Sequence, residues 1–178
     1  EILKSVLGWR LEDISVEERC SEDGKTSFAD YILRTATTAI VVEAKKVGAT
    51  FELPSHRSAK LGGVLSEGQV GEAIRQVREY ARQKSIPFAV ATNGNAWVIF
   101  PAIRTDQVTF EETQAKVFRD LSAIKEHLVE FWELLSRQRV IEGNLENILF
   151  GIPREPNKRR LISLVSDYGY RLGRNVIC

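Results

Sequence analysis

The segment from residue 39 to residue 45, Ala-Ile-Val-Val-Glu-Ala-Lys, constrains the fold more than any other part of the chain. Its β-branched apolar run predicts a strand inside a sheet. Because alternate side chains of a strand share a face, Glu43 and Lys45 must project together, while Val42 and Ala44 face the other way. An acid and a base among apolar neighbours are costly unless they pair or hold a metal. The segment therefore predicts a chemical site on a buried strand.

A second acid lies on the strand predicted over residues 28–33. Asp30 has the apolar residues Phe28 and Ile32 on its own face of that strand. If this strand pairs with the strand at residues 39–45, one register brings Asp30 within reach of Glu43. Two carboxylates and a lysine would then converge on one point, which is a hard oxygen-ligand site suited to Mg²⁺.

The remaining pattern predicts an α/β fold in which helices flank a mixed central β-sheet. Helices are predicted over residues 1–7, closed by Gly8, and over residues 67–84, where an apolar stripe recurs at helical spacing. Further strands are predicted at residues 9–16, 88–91 and 96–100, with a turn at 21–25, a hairpin turn at Asn93 and Gly94, and a strand-like island at 51–53 within a long loop. We expect about four or five strands, with the Asp30 cluster at one edge of the sheet.

The segment after Asp120 predicts a further helix, capped by that aspartate, whose apolar face should pack on the core or on a partner. This face consists of Leu121, Ile124, Leu128, Phe131 and Leu135. A break follows at residues 151–153, and the basic cluster Lys158, Arg159 and Arg160 opens a last predicted helix. This cluster is typical of a solvated linker.

Composition limits the classes of protein that the chain can belong to. A length of 178 residues with 43% hydrophobic content suits one globular domain, and the net charge of +1 gives no global sign of nucleic-acid binding. Cys20 and Cys178 match no metal or redox spacing, and no apolar run approaches the ~20 residues that span a bilayer. We therefore expect a cytoplasmic protein without a membrane partner. Because the chain contains no Met, we also expect it to be a piece of something longer.

Five short motifs occur in order and together point to a known family. They are Leu7-Gly8-Trp9, Ala29-Asp30-Tyr31, Glu43-Ala44-Lys45, the pair Gln76 and Tyr80 on the long helix, and Thr92-Asn93-Gly94. In this order they resemble the PD-(D/E)XK nucleases and, more narrowly, the amino-terminal nuclease domain of type I restriction motor subunits. The resemblance covers roughly the first hundred residues.

The resemblance implies a restriction-endonuclease-like fold and a Mg²⁺-dependent endonuclease acting on double-stranded DNA, with Mn²⁺ as a substitute metal. Asp30, Glu43 and the backbone carbonyl of Ala44 would hold the metal, and Lys45 would orient the attacking water. Gln76 and Tyr80 would position the substrate or the catalytic lysine. The family also places an acid on the first helix, for which Glu1 or a residue upstream would serve.

The motifs and the helical pattern after Asp120 together predict a division into a nuclease core at residues 1–118 and a helical appendage at residues 119–178. The appendage would lead toward a motor or NTPase domain in a restriction or anti-phage protein. The alternative is a catalytically silent module that keeps the nuclease fold for nucleic-acid binding or assembly, and a homo-oligomer stays open in either case.

Three arginines on the long helix are candidate substrate contacts. Arg75, Arg78 and Arg82 make a basic row suited to DNA phosphates. Glu72 and Glu79 lie among them, so a solvated face of mixed charge is an equally good interpretation.

Overall fold

The structure is a computed structural model that describes residues 2–22, 25–46 and 48–151. A mixed seven-stranded sheet forms its centre. In chain order its strands are β1 (Ile14–Glu22), β2 (Lys25–Arg34), β3 (Ala39–Ala44), β4 (Ser58–Lys60), β5 (Phe88–Thr92), β6 (Trp97–Pro101) and β7 (Gln114–Phe118). In space they lie in the order β1-β2-β3-β5-β6-β7-β4. Strands β3 and β5 pair in parallel, and the other neighbouring pairs are antiparallel. The predicted fold class, a mixed central sheet flanked by helices, is confirmed.

The expected number of strands is wrong, because β4 and β7 were not predicted. Their alternating polar residues dilute the apolar signal, and each strand gains its ladder from the other, with Ala59 opposite Ala115. The island predicted at residues 51–53 is not a strand. Its apolar residue Phe51 instead packs into the core from a loop. Of the turn predicted at residues 21–25, residues 21 and 22 belong to β1 and Lys25 belongs to β2, and residues 23 and 24 lie outside the described part of the chain.

The first strand begins later than the sequence predicted. Trp9 is buried, and its indole Nε1 donates to the backbone oxygen of Leu135 at 2.8 Å, so its position comes from a distant helix. A single 3₁₀ turn, Leu11–Asp13, then precedes β1. The predicted first helix is present as a π-helical turn, Ile2–Val6, and Gly8 follows it with φ +71°. Glu1 lies outside the described residues.

One long helix, α1 (Gly68–Gln83), covers one face of the sheet. Its predicted apolar stripe, made of Val70, Ile74, Val77 and Ala81, is entirely buried. The hairpin of β5 and β6 is also confirmed, although its turn spans residues 93–96 because Thr92 pairs with Trp97. Gly94 provides the positive φ of that turn, at +88°.

Four short helices cover the opposite face of the sheet. They are α2 (Leu121–Glu126), α3 (Leu128–Leu135), α4 (Arg137–Ile141) and α5 (Asn144–Leu149). Asp120 caps α2 as predicted, with its Oδ1 accepting from the backbone N–H of Ala123 at 2.7 Å.

The single helix that the sequence predicted after Asp120 is interrupted. His127, with φ −118° and ψ 36°, separates α2 from α3 and changes which residues face the sheet. Phe131 and Leu135 are buried as expected, but Leu121 and Leu128 are exposed, which corrects that part of the predicted packing face.

Two further expectations concern the ends of the chain and the membrane. The basic cluster at residues 158–160 and the predicted last helix lie outside the described residues. In the part that the structure describes, no helix combines the length and apolar character needed to cross a bilayer. The division at residues 118 and 119 stays a prediction.

Candidate active site

The carboxyl end of β3 carries the acid and the base that the sequence singled out. Val41 belongs to the apolar cluster under α1, whereas Val42 belongs to the cluster on the opposite face. Glu43 follows Val41 by two residues and therefore faces α1, as expected from strand geometry. It is a buried charged residue, with 5% of its surface exposed. Because β3 is internal to the sheet, the site lies at a strand end and not, as expected, at an edge of the sheet.

The ammonium group of Lys45 is held by two partners. Its Nζ donates to Oε1 of Glu43 at 2.8 Å and to Oε1 of Gln76 at 2.7 Å. Gln76 comes from α1, so the helix is anchored to the end of the strand through this lysine. The main chain of Lys45 is held as well, because its N–H donates to the oxygen of Thr92 on β5 at 2.7 Å.

Asp30 reaches the same place from β2. The antiparallel register of β2 and β3 pairs Tyr31 with Val42, and one further step along it sets Asp30 opposite Glu43. The carboxylate Oδ2 of Asp30 accepts from the backbone N–H of Ala44 at 2.6 Å. Asp30 thus contacts the main chain of Ala44, between the acid and the base that β3 carries.

The electrostatics of Glu43 reflect its position. Burial raises the pKa of its carboxyl above the ordinary value, and the negative charge of Asp30 acts in the same direction. The hydrogen bond and charge of Lys45 lower that pKa but do not offset the burial. A cation at this point would favour the ionised form of Glu43.

The donor atoms present fit a small hard cation. Mg²⁺ is commonly held by one or two carboxylates and keeps several waters, and Asp30 and Glu43 provide such a pair. The carbonyl of Ala44 would be a third oxygen on the same strand end. Within residues 2–22, 25–46 and 48–151 no group of three or more His, Cys, Asp or Glu side chains is arranged to hold a metal.

Tyr80 occupies a different environment from Gln76. Gln76 is exposed and touches Lys45, whereas Tyr80, one turn later on α1, is fully buried in the cluster beneath the helix. Its position is that of a core side chain, and the role suggested by its spacing from Gln76 stays a prediction.

The three arginines of α1 do not form a uniform row. Arg75 donates to the backbone oxygen of Ser66 at 2.8 Å. The guanidinium of Arg78 lies 3.6 Å from the centre of the Phe110 ring, and partial burial lowers its pKa. Arg82 is exposed. Local contacts therefore hold two of the three side chains.

Sequence reasoning missed two amide side chains that contact the main chain of residues 49 and 50. Asn93 was given no role beyond its turn, yet its Nδ2 donates to the oxygen of Ala49 at 2.7 Å. Gln69 was given no role, and its Oε1 accepts from the N–H of Thr50 at 2.7 Å. No local pattern signals either contact, because each joins segments that are distant in the chain.

Comparison with known proteins returns little. No family model matches the chain, and no curated protein matches it. Among solved structures, the chain is similar to a fragment described as an HsdR subunit of a type I restriction enzyme from Vibrio vulnificus, with a TM-score of 0.39 and 22% identity over 72% of this chain. The match spans 23% of that neighbour's length. At this level the likeness carries no argument about activity.

Proposed function

We propose that this chain is a Mg²⁺-dependent endonuclease domain that hydrolyses phosphodiester bonds of DNA. One observation carries the proposal: a lysine ammonium shared between a buried carboxylate and a helix amide, with a second carboxylate opposite. A purely structural ion pair needs neither the second acid nor the amide. Buried acids are costly, and their clustering around a base at a strand end is typical of a functional site.

Each residue has a distinct role in this proposal. Asp30, Glu43 and the carbonyl of Ala44 would hold the cation. When bound, Mg²⁺ supplies Lewis-acid stabilisation and lowers the pKa of a water molecule, and Mn²⁺ would substitute for it. Lys45 would orient the attacking water and offset the charge that develops on the phosphate oxygens.

Helix α1 would support this chemistry from above the strand. Gln76 would keep the lysine ammonium in place through its 2.7 Å contact. Tyr80 would act by anchoring the next turn of the helix in the core. Among the arginines proposed to bind DNA phosphates, Arg75 and Arg82 are exposed and Arg78 is half-buried. Arg75 and Arg78 would contribute positive potential from their held positions.

The biological setting belongs to the proposal as well. We propose that the domain cuts double-stranded DNA in the cytoplasm, fused to or associated with a motor or NTPase domain of a restriction or anti-phage protein. The ordered motifs around Asp30, Lys45 and Asn93 support this setting through the family that they resemble.

A plasmid-nicking assay tests the activity. Supercoiled plasmid is incubated with the wild-type chain and Mg²⁺, Mn²⁺ or EDTA, alongside Lys45→Ala and the matched control Lys46→Ala. Lys46 is exposed, and its replacement by alanine removes the same charge one residue further along the chain. We expect nicking by wild type and Lys46→Ala with metal, and none by Lys45→Ala. Nicking by Lys45→Ala at the wild-type rate would refute the assignment.

A second candidate is a silent nuclease-fold module that binds nucleic acid. The observation in its favour is that the described residues bring only two acids, Asp30 and Glu43, to the site. Retarded migration of DNA with the wild-type chain, combined with no nicking in either metal, would support this second candidate over the first.

A further inference from the structure

The main chain that follows Lys45 is held by two amide side chains from separate elements. Asn93, in the turn between β5 and β6, donates through Nδ2 to the oxygen of Ala49 at 2.7 Å. Gln69, in the first turn of α1, accepts through Oε1 from the N–H of Thr50 at 2.7 Å. Two successive residues, Ala49 and Thr50, are thus held by side chains from two different elements.

The amide of Asn93 has one orientation that satisfies its surroundings. Its Oδ1 accepts from the N–H groups of Asn95 at 3.0 Å and Ala96 at 2.8 Å. Because both neighbours on that side are donors, the NH₂ group must face the oxygen of Ala49. The turn itself is braced by Thr92, whose buried Oγ1 donates to the oxygen of Ala96 at 2.7 Å.

The same two elements hold Lys45 directly. In the hairpin, the backbone oxygen of Thr92 accepts from the N–H of Lys45 at 2.7 Å. On α1, Oε1 of Gln76 accepts from the lysine Nζ, also at 2.7 Å. Gln69 and Gln76 are seven residues apart, so they lie two turns apart on one face of the helix. Lys45, Ala49 and Thr50 are therefore all held by hydrogen bonds from the β5–β6 hairpin or from α1.

We propose that Asn93 and Gln69 are positioning residues for Lys45, an inference that rests on the proposed nuclease function. Neither side chain belongs to the group that would touch the metal or the phosphate. Their contacts fix the main chain at Ala49 and Thr50, close to Lys45 in the sequence. The lysine ammonium then stays between its partners, where small displacements are costly to catalysis.

The variant Asn93→Asp isolates the contact to Ala49. It keeps an oxygen for the two turn N–H groups and replaces the donating NH₂ with a second oxygen. Asn95→Asp is the matched control, because it places the same charge in the same turn without touching Ala49. We expect Asn93→Asp to lower the kcat of nicking ~10-fold or more. Its Mn²⁺ affinity should stay within about two-fold, whereas damage to the support of a metal ligand costs ~10- to 100-fold.

Gln69 allows rescue by a conservative change. Gln69→Leu removes the acceptor for the N–H of Thr50, whereas Gln69→Glu keeps it. We expect Gln69→Leu to lower kcat and to speed hydrogen exchange at the Thr50 amide, and Gln69→Glu to restore both. A general loss of stability would not follow this order.

Hydrogen exchange distinguishes a failure of the positioning role of Asn93 and Gln69 from a failure of the proposed nuclease function. If the wild-type chain cuts and Asn93→Asp cuts at the same rate, the positioning role is overturned. If the wild-type chain does not cut, the nuclease proposal fails. The positioning role is then judged by exchange at the Lys45 and Thr50 amides, which should be faster in Asn93→Asp than in Asn95→Asp. Equal exchange in these two variants overturns it.

Discussion

Replacing Lys45 with alanine should destabilise the metal-free protein in a pH-dependent way. The substitution removes the ammonium that donates to Glu43 at 2.8 Å and leaves that carboxylate, whose side chain is 6% exposed, without its charged partner. Glu43 then has to bear the cost of burial alone or take up a proton. The effect should therefore follow the ionisation of Glu43.

The magnitude follows from the exposure of the two side chains. Removing one partner of a fully buried ion pair costs ~3–5 kcal/mol. The side chain of Lys45 is 28% exposed, so water reaches the pair, and we expect a loss of ~1–2 kcal/mol near neutral pH. For a chain of this size that is a decrease in Tm of ~3–6 °C.

The sign of the pH dependence comes from the raised pKa of Glu43. A carboxyl whose pKa is higher in the folded state than the ordinary 4.5 opposes unfolding at low pH, and that contribution is lost as pH rises through the folded value. Lys45→Ala removes an influence that lowers this pKa, so the pKa rises further. The variant should match wild type near pH ~4 and lose stability progressively toward pH ~8.

A double-mutant cycle with Glu43→Gln measures the effect. Urea unfolding in EDTA at both pH values is followed for wild type, Lys45→Ala, Glu43→Gln and the double variant. In the Glu43→Gln background no carboxylate is stranded, so the alanine should cost little at either pH. An equal loss at both pH values, or an unchanged loss in the Glu43→Gln background, would refute the coupling inferred from the structure.

Three further predictions concern other parts of the molecule. Asp30→Asn should weaken Mn²⁺ binding ~10-fold or more in a calorimetric titration, because it removes a charged ligand while keeping an acceptor for Ala44; unchanged affinity would place the metal elsewhere. Phe131→Ala should lower the free energy of unfolding by ~3–5 kcal/mol in urea, since its buried ring makes two edge-to-face contacts with centroids 5.3 and 5.2 Å apart. The hydrogen bond from Arg137 lowers the pKa of Asp13 below its ordinary value of 3.8. This pair should therefore stabilise the fold at pH values above 3.8, and the stabilisation should be lost as the pH falls through the lowered pKa. Asp13→Asn should abolish this acid-dependent loss, and an identical acid-unfolding profile would contradict it.

The sequence by itself determined the elements in which apolar residues recur at a regular local spacing. The spacing of apolar residues predicted α1, and the β-branched run predicted β3 with Glu43 and Lys45 on one face. Strand geometry also predicted that Asp30 would approach Glu43 in one register, and β2 and β3 adopt the register that sets them opposite each other. These features follow from backbone geometry alone, which repeats every two or every few residues.

Tertiary structure decided the features that depend on contacts between distant segments. Strands β4 and β7 pair with each other, and the helix predicted after Asp120 is interrupted at His127. The contact of Lys45 with Gln76, across 31 residues, was expected only through the family resemblance, and that of Asn93 with Ala49, across 44, has no local signature. A hydrogen-bond partner is selected by where the packed core brings two segments together. For this reason the placement of Glu43 and Lys45 on one face could be predicted from sequence, and the hydrogen bond from Asn93 to Ala49 could not.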